Sequence, residues 1–215
     1  MSALRPDILF IHGLWMHGRV FALHRHRLRA QGRGSHTYSY PSLRGSLEGV
    51  ADGLVACIAR LDRRPLHVIA HSMGGCIVLD MLARHRPPGL GRIVLLGSPT
   101  LGSHAAQQIL RVPLLRQTIG RVLPQWLARA RPEVDPAYEI GVIAGDRPIG
   151  LGHLVPGVPR PHDGMVAVTE TRWPGARDHI VLPLTHLQML WSQACLAQAL
   201  RFLDAGAFDH GAALR

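Results

Sequence analysis

Ser72 stands in the run Ala70-His71-Ser72-Met73-Gly74, directly after the apolar stretch Leu66-His67-Val68-Ile69-Ala70. A serine with small residues two positions away on each side suits a sharp turn from strand into helix, where larger side chains would collide. In such a turn the serine backbone is strained and its hydroxyl is exposed. The helix beginning at Met73 then points its N-terminus, and the Met73 N–H, at the place where negative charge would develop. The chemistry would be nucleophilic attack on a carbonyl carbon. The same five residues also fit a Gly-rich turn with no chemistry, and Ala70 stands where the pattern usually has glycine. The elements around the run must decide.

A second donor is available near the N-terminus. Asp7-Ile8-Leu9-Phe10-Ile11 reads as a strand and runs straight into His12-Gly13-Leu14. Gly13 lets the backbone approach a reacting carbonyl, and Leu14 N–H would be the second oxyanion donor. The His12 side chain is expected to brace this loop from beneath rather than to react. His186 is the best general base, because it follows the strand-like run His179-Ile180-Val181-Leu182 and opens a helical stretch from Leu187 to Leu203. Two acids compete to orient it. Asp163 lies 23 residues earlier, in His162-Asp163-Gly164-Met165-Val166, which also reads as an ordinary Asp-Gly turn. Asp146 directly follows the strand-like run Ile140 to Ala144, but Arg147 and Pro148 give it the look of a turn residue. Local context favours Asp163 and leaves Asp146 open.

In this order along the chain, the His12-Gly13 turn, the Ala70-to-Gly75 elbow, Gly97-Ser98-Pro99 after a later strand, Asp163-Gly164 and His186 resemble the α/β-hydrolase superfamily, and within it the small lipases and esterases without a large cap. The resemblance runs from about Ile8 to Leu203. It implies a Ser72–His186–Asp163 triad and an oxyanion hole from the amides of Leu14 and Met73. His12, Gly13, Ala70, His71 and Gly74 would shape the loop and the elbow. The resemblance does not carry a substrate; the expected activity is that of a serine hydrolase for carboxylic esters, lipase-like, with no metal and no organic cofactor. A thioesterase, amidase or acyltransferase could use the same triad, and a scaffold with an idle site is the non-catalytic alternative. The fold alone does not choose among them.

Composition narrows the setting. A chain of 215 residues that is 47% hydrophobic has room for one core and is not disordered. All 24 basic residues are arginine, giving a net charge of +10. So complete a bias reads as genome composition. With no aromatic-interleaved basic stripe or zinc spacing, nucleic acid is not an expected partner. Cys57, Cys76 and Cys195 are scattered through apolar stretches, and a disulfide framework is not expected. The apolar run Ile8–Ile11 is too short for a secretion signal, so a cytoplasmic protein is expected. The partner to expect is a small-molecule or lipid ester.

Strands and helices alternate along the chain, which predicts an α/β fold: a mostly parallel sheet of about six strands with helices on both faces. Strands are expected at 7–11, 35–40, 65–70, 92–97, 139–144 and 178–182. The clearest helix spans 46–61, capped by Ser46. Residues 1–205 should form a single domain, followed by a frayed tail at 206–215. The segment 100–136 stands out, because residues 81–132 hold eight arginines and no acidic residue. Leu115, Ile119, Val122, Leu123 and Trp126 keep helical spacing, with Arg116, Arg121 and Arg129 between them. Packing on the sheet is the favoured reading. A basic, lid-like helical insertion in transient contact with an anionic lipid interface is the functional one.

Overall fold

The computed structural model describes residues 5–62, 65–150 and 155–211. Its six strands are β1 (Asp7–Ile11), β2 (Ser35–Tyr38), β3 (Leu66–His71), β4 (Leu90–Leu96), β5 (Ile140–Gly145) and β6 (Asp178–Leu182). They form one parallel sheet in the order β2-β1-β3-β4-β5-β6. Each strand lies within two residues of its expected place. The chain steps from β1 outward to β2, then returns past β1 to β3. The winding direction therefore reverses between β1 and β3, the crevice where parallel sheets of this kind place their ligands.

Successive side chains on a strand face opposite ways, and here both faces are buried. One set, with Leu9, Ile11, Val68, Ala70, Ile93, Leu95 and Val142, packs against α2 (Leu47–Leu61), α3 (Met73–Arg84) and α6 (Val122–Ala128). The alternate set, with Ile8, Phe10, Ile69, Val94, Leu96, Ile143 and Ile180, packs against α1 (Ala22–Ala30) and α7 (Gln193–Ala205). α2 begins as expected, with the Ser46 side chain accepting from Gly49 N–H at 3.1 Å. The amino-terminal rim of the sheet is fastened by ion pairs. Arg33 meets Asp204 at 2.9 Å, while Arg92 and Arg177 both reach Glu139.

Two expectations change. No helix opens at His186. Residues Gln188–Leu190 make only a short 3-10 turn, and α7 starts at Gln193, where the Ser192 side chain accepts from Cys195 N–H at 3.2 Å. Ser192 is the stronger start signal because it supplies the first unpaired amides with an acceptor. The tail is not frayed over 206–211. Phe208 is buried against Phe202, its N–H bonds Asp178, and the Gln198 side chain pairs with both backbone groups of Asp209. Residues 212–215 lie outside the described residues.

The segment after β4 contains α4 (His104–Arg111), a single turn α5 (Pro113–Arg116) and α6. Most of it is tied down. Ile119, Val122, Leu123 and Trp126 are buried, the Trp126 indole N–H donates to Pro99 O at 3.1 Å, and Arg129 meets the buried carboxylate of Asp80 at 2.6 Å. Leu115 is exposed instead of joining that face, and the whole stretch 111–118 lies open.

Four buried histidines give the fold a predictable response to acid. Burial pulls His67 down to about 4, and it holds His12, His24 and His71 below the ordinary imidazole range. A folded value below the unfolded one, about 6.5, means that the unfolded chain binds protons first as pH falls. Their stabilising contribution is complete above about pH 6.5 and is lost as pH falls toward the folded values, by up to ~1.4 kcal/mol per pH unit for each histidine. The urea midpoint should be level from pH 8 to 7 and fall steeply from pH 6.5 to 4.5. A flat midpoint across that lower window would refute this account.

Candidate active site

The elbow is built as its residue sizes require. Ser72 has φ 56° and ψ −126°, a conformation that non-glycine residues rarely adopt, and it sits between β3 and the first residue of α3. Its N–H donates to Leu96 O at 2.8 Å, which binds the turn to β4. β1 and β3 pair with Ile11 beside Ala70, so the loops that follow them meet. A methyl on Gly74 would lie 2.7 Å from the carbonyl oxygens of both Ile11 and His12, and one on Gly13 would lie 2.9 Å from Ser72 Cβ. Neither position has room for a side chain. Leu14 and Met73, at the ends of these two loops, are therefore close to Ser72 in the fold.

His12 lies beneath the first loop. Its Nε2 accepts from Tyr40 N–H at 3.3 Å, so Nδ1 carries the proton and donates to Gly13 O at 2.9 Å. The ring stacks on Tyr40 with centroids 4.3 Å apart, and Tyr40 O–H donates to His12 O at 2.7 Å. Tyr40 thus clamps the loop from the edge of the sheet. The sequence reading missed it, because an isolated tyrosine after a short strand carries no motif.

Asp163 and His186 meet in the interior. His186 Nδ1 lies 2.7 Å from Asp163 Oδ2, and His186 N–H donates to Asp163 O, also at 2.7 Å. The other carboxylate oxygen accepts from the N–H groups of Met165 at 2.9 Å and Val166 at 2.8 Å. These donors offset the cost of burying the carboxylate, which is fully enclosed. Asp146 lies exposed just beyond β5. His71 packs its ring 4.6 Å from that of His186 and donates Nε2–H to His186 O at 3.0 Å. The residue before the serine therefore holds the loop that carries the histidine. Gly97, with φ 54°, forms the floor under the pair. A methyl there would lie 3.0 Å from Asp163 Oδ2 and 3.1 Å from His186 Nδ1. The sequence marked Gly97 only as a residue after a strand.

Ser72 and His186 line one cleft with Leu14, Trp15, Pro99, Ala106, Ile109, Leu123, Met165 and Leu187, among others. It opens to solvent at its mouth, and most of its wall is apolar, as small-molecule sites usually are. Among the described residues, no Asp, Glu or Arg lines it. α4 forms part of its wall and is anchored from across the chain. Glu170 accepts from the backbone N–H of His104 at the helix start, supplying negative charge that the surrounding sequence lacks. Among the described residues, no three His, Cys, Asp or Glu side chains converge as metal donors.

The family model for the alpha/beta hydrolase family matches residues 8–211. The chain belongs to the alpha/beta hydrolase family. No curated protein matches this hydrolase in sequence. Similar solved structures include the mature form of lipase BlEst2 from Bacillus licheniformis, 16% identical, with TM-score 0.77 over 94% of this chain and 92% of that one. A pyrethroid hydrolase from Sphingobium faniae is 13% identical, with TM-score 0.60 over 93% and 98% of the two chains. A methylesterase from Arabidopsis is 12% identical, with TM-score 0.65 over 93% and 99%. At these identities the likeness is one of fold. Among the described residues, the chain from β1 to α7 keeps to the six-stranded sheet and its helices, with no large cap inserted between strands.

Proposed function

We propose that this hydrolase cleaves uncharged carboxylic esters through an acyl-enzyme on Ser72. One observation carries the reading: a buried Asp163–His186 pair lies in the wall of an apolar cleft that also holds a strained, half-buried serine. Ser72 Oγ attacks the acyl carbon while His186 Nε2 takes its proton. Asp163 keeps Nδ1–H in place and stabilises the imidazolium. The amides of Leu14 and Met73 hold the tetrahedral oxyanion. His186 then protonates the leaving alcohol, and water activated by the same histidine releases the acid. The ester preference draws on the names of the similar structures, a lipase, a pyrethroid hydrolase and a methylesterase, and on the uncharged lining. The unpaired thiols of Cys57, Cys76 and Cys195 suit a cytoplasmic setting.

Labelling with a fluorophosphonate probe, followed by hydrolysis of matched ester, thioester and amide substrates, tests this reading. Labelling with ester turnover foremost is expected. Failure to label and to hydrolyse any of the three would mean an idle scaffold. A dominant thioester or amide rate would replace ester with that substrate class.

A further inference from the structure

Residues 111–118, Arg-Val-Pro-Leu-Leu-Arg-Gln-Thr, are exposed throughout, although the helices on both sides of them are anchored. Leu114 is 85% exposed, and Val112 and Leu115 are each more than two-fifths exposed. Three large apolar side chains on so short a stretch, in water, need an explanation that packing among the described residues does not supply. The stretch adjoins the mouth of the cleft. The indole N–H of Trp15, a lining residue, donates to Thr118 O, and Ile119 lines the cleft itself. Trp15 and Leu187 at that mouth are nearly half-exposed, and Ile149 is two-thirds exposed. Through Thr118 and Ile119 the exposed stretch thus joins the wall of the cleft that holds Ser72.

The charge beside it has one sign. Arg111 and Arg116 bracket the apolar residues, Arg121 follows, and residues 81–132 contain no Asp or Glu. Arg129 is not part of this set, because Asp80 holds it. We infer that residues 111–118 dock on an anionic lipid surface, with Val112, Leu114 and Leu115 entering the acyl boundary and Arg111 and Arg116 meeting the headgroups. The charge pattern selects this occupant: a neutral apolar partner would leave the arginines unmatched, and a second copy of a chain of net charge +10 would bring like charge against them. Apolar substrate would then pass from the lipid to the cleft without crossing water. The route rests on the proposed ester reaction, whereas the docking itself does not.

Co-sedimentation separates the two. Ser72→Ala protein, which cannot turn over lipid, is mixed with vesicles of phosphatidylglycerol and phosphatidylcholine in equal parts, and with vesicles of phosphatidylcholine alone. Binding to the anionic vesicles is expected, at least tenfold weaker on the neutral ones and weakened by 0.5 M salt. Each arginine near an anionic surface is worth about fivefold in partition. Arg111→Glu with Arg116→Glu should therefore weaken binding by ~25-fold or more, and Leu114→Asp with Leu115→Asp by tenfold or more. None of these residues lines the cleft, so in protein that retains Ser72 both pairs should keep the hydrolysis of a short soluble ester and the urea midpoint. No binding, equal binding to both vesicles, or undiminished binding by both pairs would overturn the inference. So would a dimer in solution that Leu114→Asp with Leu115→Asp dissolves while vesicles are ignored. Loss of ester turnover with vesicle binding intact would instead refute the proposed reaction and leave the docking surface standing.

Discussion

Ser72→Ala protein is expected to fold normally and to lose about 10⁶ in turnover, the scale seen when a serine nucleophile is removed from a complete triad. Alanine keeps Cβ, so the strain of a residue at φ 56° is carried over unchanged, and the urea midpoint should move by less than ~1 kcal/mol. Fluorophosphonate labelling should vanish with the activity. Both oxyanion amides belong to the backbone and survive, so a residual rate above that of water is consistent with the mechanism. Near-wild-type hydrolysis by a folded Ser72→Ala protein would remove the nucleophile, and with it the proposed function.

Asp163→Asn should cost about 10⁴ in kcat, and Asp146→Asn less than about threefold. The asparagine carbonyl can still accept from Met165 and Val166, as Asp163 Oδ1 does. Its NH₂ would then face His186 Nδ1 and donate to it. That interaction puts the ring proton on Nε2, the atom that must take the serine proton. The backbone bond from His186 N–H to Asp163 O remains, so the loop stays in place and the loss is one of protonation state. Steady-state rates for both variants, beside their denaturant midpoints, check this. The opposite ranking would assign the acid to Asp146.

Most of the sheet was legible because its central strands are buried on both faces and read as short apolar runs between turn residues, whereas the edge strand β2, Ser35–Tyr38, is only half-buried and polar. β3 and β5, buried at every position, are the clearest cases. The His186 loop was misread because leucines and a methionine after a strand look like one helix, while the single hydroxyl of Ser192 that restarts the helix gives no periodic signal. The tail was misread because polarity near a chain end suggests fraying, whereas one buried side chain, Phe208, is enough to dock it. The residues proposed to react sit in motifs, and the residues packed around them do not. Ser72, Asp163 and His186 could be picked out by type and order. Tyr40 acts on His12, Gly97 lies under Asp163 and His186, and Glu170 holds His104, contacts between residues far apart in the chain that no local pattern encodes.

The ion pairs of Arg33, Arg92 and Arg177 occupy one rim of the sheet, and the loops carrying Ser72, Asp163 and His186 occupy the other. A lineage carrying this chain can therefore alter the cleft through α4 and α6, whose Ile109 and Leu123 line it, without disturbing the pairs that fasten the strands. Selection on substrate and selection on scaffold fall on different residues. Drift at one rim need not be repaired at the other, and descendants with a new diet can inherit the same frame.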